Sequence, residues 1–401
     1  MPERDADAPS AAHPPSAGGL PGYARLLLAL SRLRLTPQQV TEVRELASRQ
    51  DLDWGAFLDA AARHKVLPLV GRHVHRYRLD RREESTDGFP YPWLFASAYL
   101  GNRQRNQALS DEFGRLFDDL AAAGIRYAVR KGFALAEHLH HDPAARRIND
   151  LDLLLDRADA ARADDLLKRH GYSQGQLAAD GDRIEPFSQA THMFWRMKLS
   201  NQLPYRKPGN RQDIPDFNVD LCHSIFQRNA DIDAPVGDLL SRAVPAVICG
   251  ADSWMLDPED CLLDLCSHLY KEATSTTFIR EGMDLQLSKF LDVALLAESF
   301  GPDTWQAFAA RVERSRASAI AYYTLHFTAL LHPEAVPAGI LARLRPADIG
   351  YLEQFGALEG TTAEWSQDFI GRLFDTGRSS SGGAAGHTGP GQAVLSASYH
   401  A

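Results

Sequence analysis

Asp150 and Asp152 open the run Asp150–Leu155, which reads DLDLLL. In an extended strand, residues i and i+2 share a face with Cα atoms roughly 6.5–7 Å apart. Two carboxylates on one face of an apolar strand repel each other. A divalent cation between them removes that repulsion, and hard oxygen ligands suit Mg²⁺. Leu151, Leu153, Leu154 and Leu155 mark the strand as otherwise buried; the alternative is that both acids sit at a solvated strand end. Asp220 is a third candidate, lying between Val219 and Leu221 in a second β-type run, residues 217–225 (FNVDLCHSI). Three acids on neighbouring strands can hold two metal ions, one gripping a triphosphate and the other lowering the pKa of an attacking hydroxyl. Asp220 could also take the proton of that hydroxyl as a general base, or be a paired acid at a strand edge.

Lys131-Gly132 lies where a short β-type run, residues 125–129 (IRYAV), hands over to a helical stretch at 133–140. Glycine lets the backbone approach a ligand, and helix N-terminal amides point outward, a combination that binds phosphate. A plain turn would have the same residues. Other groups carry less weight. Arg206, Lys207 and Arg211 lie on a polar, proline-containing stretch, 201–215, which reads as a loop. They could close over a triphosphate as charge-assisted donors or be solvated. His268 and Lys271 share one helix face, which lines a cleft or lies at the surface. His223 reads as a structural histidine, and Phe194 and Trp195 as packing residues.

The elements that must position these groups fall into three parts. Residues 21–120 read as a helical region. Thr36-Pro37 is a helix start, and Trp54, Phe57, Leu58 and Ala61 recur at helical spacing, as do Leu100, Leu109, Phe113, Leu116 and Leu120 over 94–120. No chemistry is evident there. Residues 121–250 alternate strand, helix, strand, helix, strand (189–199, THMFWRMKL), loop, strand, which is an α/β pattern with mostly short strands. Residues 251–376 return to helix. Asp257-Pro258-Glu259-Asp260 starts the first of these helices, and others follow over 285–300, 302–316, 317–331 and 346–358. The ends, 1–20 and 377–401, are rich in Pro, Gly, Ser and Ala and read as disordered.

The run GIRYAVRKGFALAEHLHHDPAARRINDLDLLLDRADAARADDLLKRHGY, with FNVDLCHSIF after it, resembles an uncharacterised bacterial nucleotidyltransferase family of the polymerase-β-like superfamily. The resemblance spans about residues 124–226 and extends to flanking helices such as PEDCLLDLCSHLYKEA. It rests on order and spacing together, not on any single motif. It implies an α/β (α+β) fold: a small mixed-sheet nucleotidyltransferase core between helical regions. It implies Asp150, Asp152 and Asp220 as metal ligands and catalytic acids, Lys131 and Gly132 as the phosphate-facing turn, and Arg146 as a basic residue near the triphosphate or a surface arginine. It implies Mg²⁺ as cofactor, an NTP as substrate and an unknown acceptor, a small molecule or peptide among the candidates. Two positions depart from it. Phe133 follows Gly132 where the superfamily usually has Ser, and His223 stands three residues after Asp220 where two is usual. A nucleotide-binding sensor without activity, or a scaffold or antitoxin-like interaction protein, is the alternative on the same fold.

Bulk properties narrow the field further. Hydrophobic residues make up 44% of 401, enough for a sizeable core, and the formal charge of -9 argues against a broad nucleic-acid-binding surface. No stable nucleic-acid complex is expected. The four cysteines form no CxxC pair and read as buried free thiols. No apolar run approaches the roughly 20 residues of a membrane helix, and the N-terminus lacks the pattern of a signal peptide. The expectation is a soluble cytoplasmic protein with no membrane partner.

Overall fold

A computed structural model describes residues 19–82, 87–198, 201–227, 232 and 234–377; the expected disordered ends, up to residue 18 and from 378 on, lie outside the described residues. Five helices come first: α1 (Gly22–Leu30), α2 (Pro37–Ala47), α3 (Trp54–Arg63), α4 (Leu67–Arg76) and α5 (Pro92–Ala122). Then β1 (Tyr127–Val129) leads into α6 (Lys131–Leu135), and a π-helical turn (Ala136–His140) precedes β2 (Asp150–Leu155). Next come α7 (Ala160–Arg169), β3 (Ser173–Leu177), β4 (Ile184–Pro186), α8 (Gln189–Lys198), β5 (Tyr205–Arg211) and β6 (Ile214–Cys222). After α9 (Val236–Arg242) come β7 (Val244–Ile248) and β8 (Ala251–Met255). The chain closes with α10 (Pro258–Thr274), α11 (Thr276–Arg280), α12 (Leu287–Glu298), α13 (Pro302–Arg314), α14 (Ser318–Leu331), α15 (Ala338–Leu344), a small hairpin of β9 (Gln354–Phe355) and β10 (Ala363–Glu364), and α16 (Phe369–Phe374).

The fold is a mixed α/β architecture, as the sequence predicts. Eight strands form one sheet in the order β4-β3-β5-β6-β2-β1-β8-β7. At its centre β2 runs parallel to β6 and antiparallel to β1. One face of the sheet packs Leu151, Leu153, Leu155, Val219 and Leu221 against Leu109, Phe113, Leu116 and Phe117 of α5 and Leu166 of α7. Ala128, Leu154 and Cys222 point to the opposite face, into a core shared with Leu262, Leu265 and Cys266 of α10. That core also holds α1–α4, and Tyr23 of α1 meets Phe374 of α16 edge-on at 6.2 Å.

The helix starts follow their capping chemistry. Thr36 and Gln39 exchange reciprocal bonds as a capping box at α2. Asp257 accepts from the Asp260 N–H at α10, where acidic residues fill the first turn. All four cysteines are buried free thiols, as expected. No helix among the described residues is long and apolar enough to cross a membrane.

Three expectations are corrected. Residues 189–199 were expected as a strand, but Gln189–Lys198 is helix α8. Ser188 Oγ accepts from the Thr191 N–H at 3.1 Å and caps it, while exposed Met193 and buried Trp195 alternate over too few residues to tell the two periods apart. Residues 201–215 were expected as a loop, but they carry strand β5, hairpinned onto β6. Pro208 is tolerated because the register shifts between it and Arg211. At Gly209 a Cβ would lie 1.9 Å from the Ile214 carbonyl oxygen, so only glycine fits. Residues 346–358 were expected as a helix, but they form a 3₁₀ turn (Gly350–Glu353) and β9, broken at Gly356 by φ +82.

Candidate active site

Alternation along the two central strands builds the site. Since Leu151, Leu153 and Leu155 face α5, Asp150 and Asp152 face the other way, towards α10. The same holds for Asn218 and Asp220 on β6. The parallel register sets Asp150 beside Asn218 and Asp152 beside Asp220. Adjacent strands lie about 4.8 Å apart, so the three acids meet across one strand gap. One carboxylate oxygen from each of Asp150, Asp152 and Asp220 lies within 4.8 Å of the others. The structure thus brings together all three acids that the sequence singles out.

They open into a cleft of about 550 Å³. Its walls come from several separate segments: the β1–α6 turn (Arg130, Lys131, Gly132), the segment entering β2 (Arg146, Arg147), α10 (His268, Lys271), the start of α12 (Lys289) and, from the N-terminal helices, Lys65. His268 and Lys271 therefore belong to the cleft and not to the outer surface.

Lys131 Nζ stands 3.0 Å from Asp152 Oδ2. Burial pushes the Asp152 carboxyl up, but Lys131, then Arg130 and His268, outweigh burial and hold it at about 2. The same pairing lifts Lys131 above the usual lysine range despite burial. Among the described residues, Asp220 has no ion-pair partner of this kind. Burial, then repulsion from Asp152 and Asp150, pushes its carboxyl up to about 7. Burial, then Asp152, pushes Asp150 up as well. Burial drives the His268 imidazole down to about 3, so it is neutral beside Glu272, 3.1 Å away.

The turn before the acids has the backbone that its glycine suggests. Gly132 adopts φ +48 and ψ -115, a region closed to residues with a side chain, and interrupts α6 at its start. Phe133 points away from the cleft and meets Phe113 of α5 at 6.0 Å, so this turn offers no hydroxyl. Arg130 pairs bidentately with buried Asp264 of α10 and donates its backbone N–H to the Asp152 carbonyl at 3.0 Å. That fixes the turn between strand and helix.

Arg146 lines the cleft, but most of its guanidinium is committed. Its Nε and Nη2 donate to Asp292 at 3.1 and 2.8 Å, and Asp292 also holds His140 Nε2 at 2.7 Å. This clamp ties the segment entering β2 to α12. On the far side, Asn102 and Asn106 of α5 donate to the Arg146 carbonyl at 3.0 and 2.8 Å, and Arg105 donates to the Ile148 carbonyl and to Asn149. The N-terminal helices, which show no chemistry in sequence, thus position the first aspartate.

Several expected contributors sit elsewhere. Arg206, Lys207 and Arg211 pair with Asp216, Glu112 and Asp213 on and around the β5–β6 hairpin, so no loop closes over the cleft through them. His223 is structural, as expected: it follows β6, and its Nδ1 bonds the Leu155 carbonyl at 2.9 Å. Trp195 is buried, as expected, and the Phe194 side chain lies outside the described residues. Sequence reasoning missed Arg130, Arg147, Lys289, Asp292 and Lys65. The doublets Arg130-Lys131 and Arg146-Arg147 beside the recognised motifs were the available signal for two of them; Lys65 had none.

The donor set fits a hard divalent cation. It is all oxygen, its carboxylates converge, and burial with mutual repulsion disfavours the charged form of two of them, a cost that a cation would relieve. Buried Asn218 Oδ1, beside Asp150 in the register, has no hydrogen-bond partner among the described residues. The mixed sheet thus presents three clustered acids in a cleft walled by lysines and arginines. Residues 50–333 match the uncharacterised nucleotidyltransferase family, and the chain belongs to it. No curated protein matches the chain.

Proposed function

We propose that the chain transfers a nucleoside monophosphate from an NTP to an acceptor hydroxyl or phosphate, with Mg²⁺ held by Asp150, Asp152 and Asp220. The convergence of those three carboxylates within 4.8 Å carries the reading. When bound, the metal neutralises phosphate charge and makes a coordinated hydroxyl more acidic. The chain's own groups do the rest. Lys131, Lys271 and the Gly132 turn receive the phosphates, and Arg146 adds its Nη1. The acceptor oxygen attacks the α-phosphorus, the bridging P–O bond to the β-phosphate breaks, and pyrophosphate leaves with the electron pair. Where the acceptor is a hydroxyl, Asp220 takes its proton. Positioning and charge neutralisation supply the catalysis, with no covalent intermediate.

The test is incubation of purified protein with Mg²⁺, α-labelled NTPs and a cell extract as acceptor source. Label transfer that disappears in Asp150→Asn and Asp220→Asn supports the reading. One observation favours the sensor alternative: with Phe133 turned into the core, the phosphate turn lacks its hydroxyl. Mg²⁺-dependent NTP binding without label transfer or pyrophosphate release would establish that alternative.

A further inference from the structure

The cleft holds more cations than its carboxylates pair with. Lys131, Arg146 and Lys289 are each held by an acid, namely Asp152, Asp292 and Glu272. Among the described residues, no carboxylate lies within ion-pair distance of Lys65, Arg147 or Lys271, yet all three line the cleft. Acids stand near them without pairing, Glu272 and Asp150 by Lys65, Glu272 by Lys271 and Asp213 by Arg147, so each keeps donors that an anion can take up.

These three separate into two places. Lys271 has Glu272, then Lys131 and Arg130, as electrostatic neighbours and lies on the side of the Gly132 turn. Lys65 has Lys289, Glu272, Asp150 and Arg147 as neighbours. Lys65 therefore flanks the Asp150 end of the carboxylate cluster, and Arg147, an exposed residue with Asp213 as its charge neighbour, lines the cleft near Lys65 from the segment entering β2. In an in-line displacement, the attacking and leaving oxygens stand on opposite sides of the α-phosphorus. With the leaving pyrophosphate on the Lys131–Gly132–Lys271 side, Lys65 and Arg147 face the attacking molecule.

Lys65 also sits on an unusual and rigid support. It follows α3 with φ +57. Its N–H bonds the Ala62 carbonyl and that of Val66 bonds the Ala61 carbonyl, both at 3.0 Å. This pairing ends many helices, and glycine is the usual residue at its left-handed position. The turn is pinned to α12, where the Leu287 N–H donates to His64 Nδ1 at 3.4 Å and the Ser288 N–H to the His64 carbonyl at 3.3 Å.

We propose that Lys65 and Arg147 form a second anion site, separate from the triphosphate site, and that it receives a phosphate or carboxylate carried by the acceptor. The acceptor is thus an anionic molecule and not a neutral alcohol. The acceptor assignment rests on the nucleotidyl-transfer reading, whereas the anion site stands on the cleft itself.

The test uses inorganic phosphate as probe. Phosphate is titrated calorimetrically into the full chain holding Mg²⁺ and an α,β-methylene analogue of ATP, GTP, CTP or UTP, which cannot transfer. Phosphate should bind this complex. Its affinity should fall about tenfold or more in Lys65→Met and in Arg147→Ala, and recover to within about threefold in Lys65→Arg. Affinity for the nucleotide analogue should change less than about twofold in all three. Acetate, titrated in parallel, separates a carboxylate site from a phosphate site. Phosphate affinity equal in wild type, Lys65→Met and Arg147→Ala overturns the proposal, as does binding of neither probe to wild type. A tenfold loss of analogue affinity in Lys65→Met also overturns it, by moving Lys65 to the triphosphate. If no analogue binds the wild type, the nucleotidyl-transfer reading fails instead, and phosphate titrated alone into the same variants still decides the anion site. Unchanged melting temperatures verify that the variants fold.

Discussion

The two faces of β2 and β6 are built to opposite rules from interleaved residues. On the α5 face stand Leu151, Leu153, Leu155, Val219 and Leu221, each no more than 1% exposed. On the α10 face the same strands carry Asp150, Asp152, Asn218 and Asp220 before turning apolar at Leu154 and Cys222. The first face needs only shape and burial. The second concentrates negative charge where desolvation disfavours it, and cations from separate segments offset part of that cost. Stability should therefore track the first face and chemistry the second, with the cation clamps linking them.

Asp220→Asn offers the sharpest break between the faces. The substitution removes a carboxylate that burial and its neighbours already push up to about 7, and it leaves no cation unpartnered. Transfer should fall by roughly 10³-fold or more, about 4 kcal/mol of lost transition-state stabilisation. The melting temperature, read by calorimetry without metal, should hold or rise at pH 8. A folded Asp220→Asn with near wild-type transfer would remove the acids from the chemistry.

Asp292→Ala attacks the link. Asp292 is 2% exposed and is the shared acceptor of Arg146 and His140. Losing it strands a buried guanidinium, at a cost of roughly 3–5 kcal/mol in chemical denaturation. Transfer should fall too, because the segment leading into Asp150 loses its anchor on α12. A cost under about 1 kcal/mol would show that Arg146 finds a new partner, the cleft acids being nearest.

Leu153→Ala tests the packing face. The side chain is 1% exposed between the two acids' positions and α5. Truncation should cost roughly 2–5 kcal/mol, while transfer per folded molecule at low temperature stays within about threefold. A specific loss of turnover would mean that packing behind the strand aims the acids, and that the faces are not separable.

How much of this was legible in sequence follows the same division. The alternation in DLDLLL and FNVDLC placed the acids on one face, because a period of two is fixed by local geometry. The cap at Asp257 and the helical stripes were equally local. Strand β5 was missed because Pro208 and Gly209 signal a loop, and only the partner strand β6 shows that a bulge absorbs one and close approach demands the other. Helix α8 was missed because its apolar run is short. The cation wall was invisible for a different reason. Lys65, Lys289 and Asp292 are far from Asp150 along the chain, and only folding brings them to the same cleft. Place on the cleft wall, which no local pattern encodes, is all that separates the wall's lysines and arginines from the many elsewhere on the chain.

If magnesium binds the acid face as proposed, it must displace the proton that Asp220 holds below about 7, which sets a pH dependence. Asp220 titrates near 7 in the cation-free cleft, against an ordinary 3.8, and Asp150 shifts in the same direction. Below pH 7 a cation competes with a proton for Asp220. Mg²⁺ affinity should thus rise by up to about tenfold per pH unit towards 7 and level off above it. The linkage to stability has the opposite sign. A carboxyl whose native pKa is raised binds more protons in the native state between the two values. Its contribution is full below 3.8 and is lost as pH rises through about 7. In EDTA the melting temperature should fall from pH 5 to pH 8, and Asp220→Asn should flatten that slope. Saturating Mg²⁺ should restore the loss at pH 8 and do little at pH 5. Magnesium affinity that stays constant across this range would separate the titrating carboxyl from the metal site and leave Asp220 as a base alone.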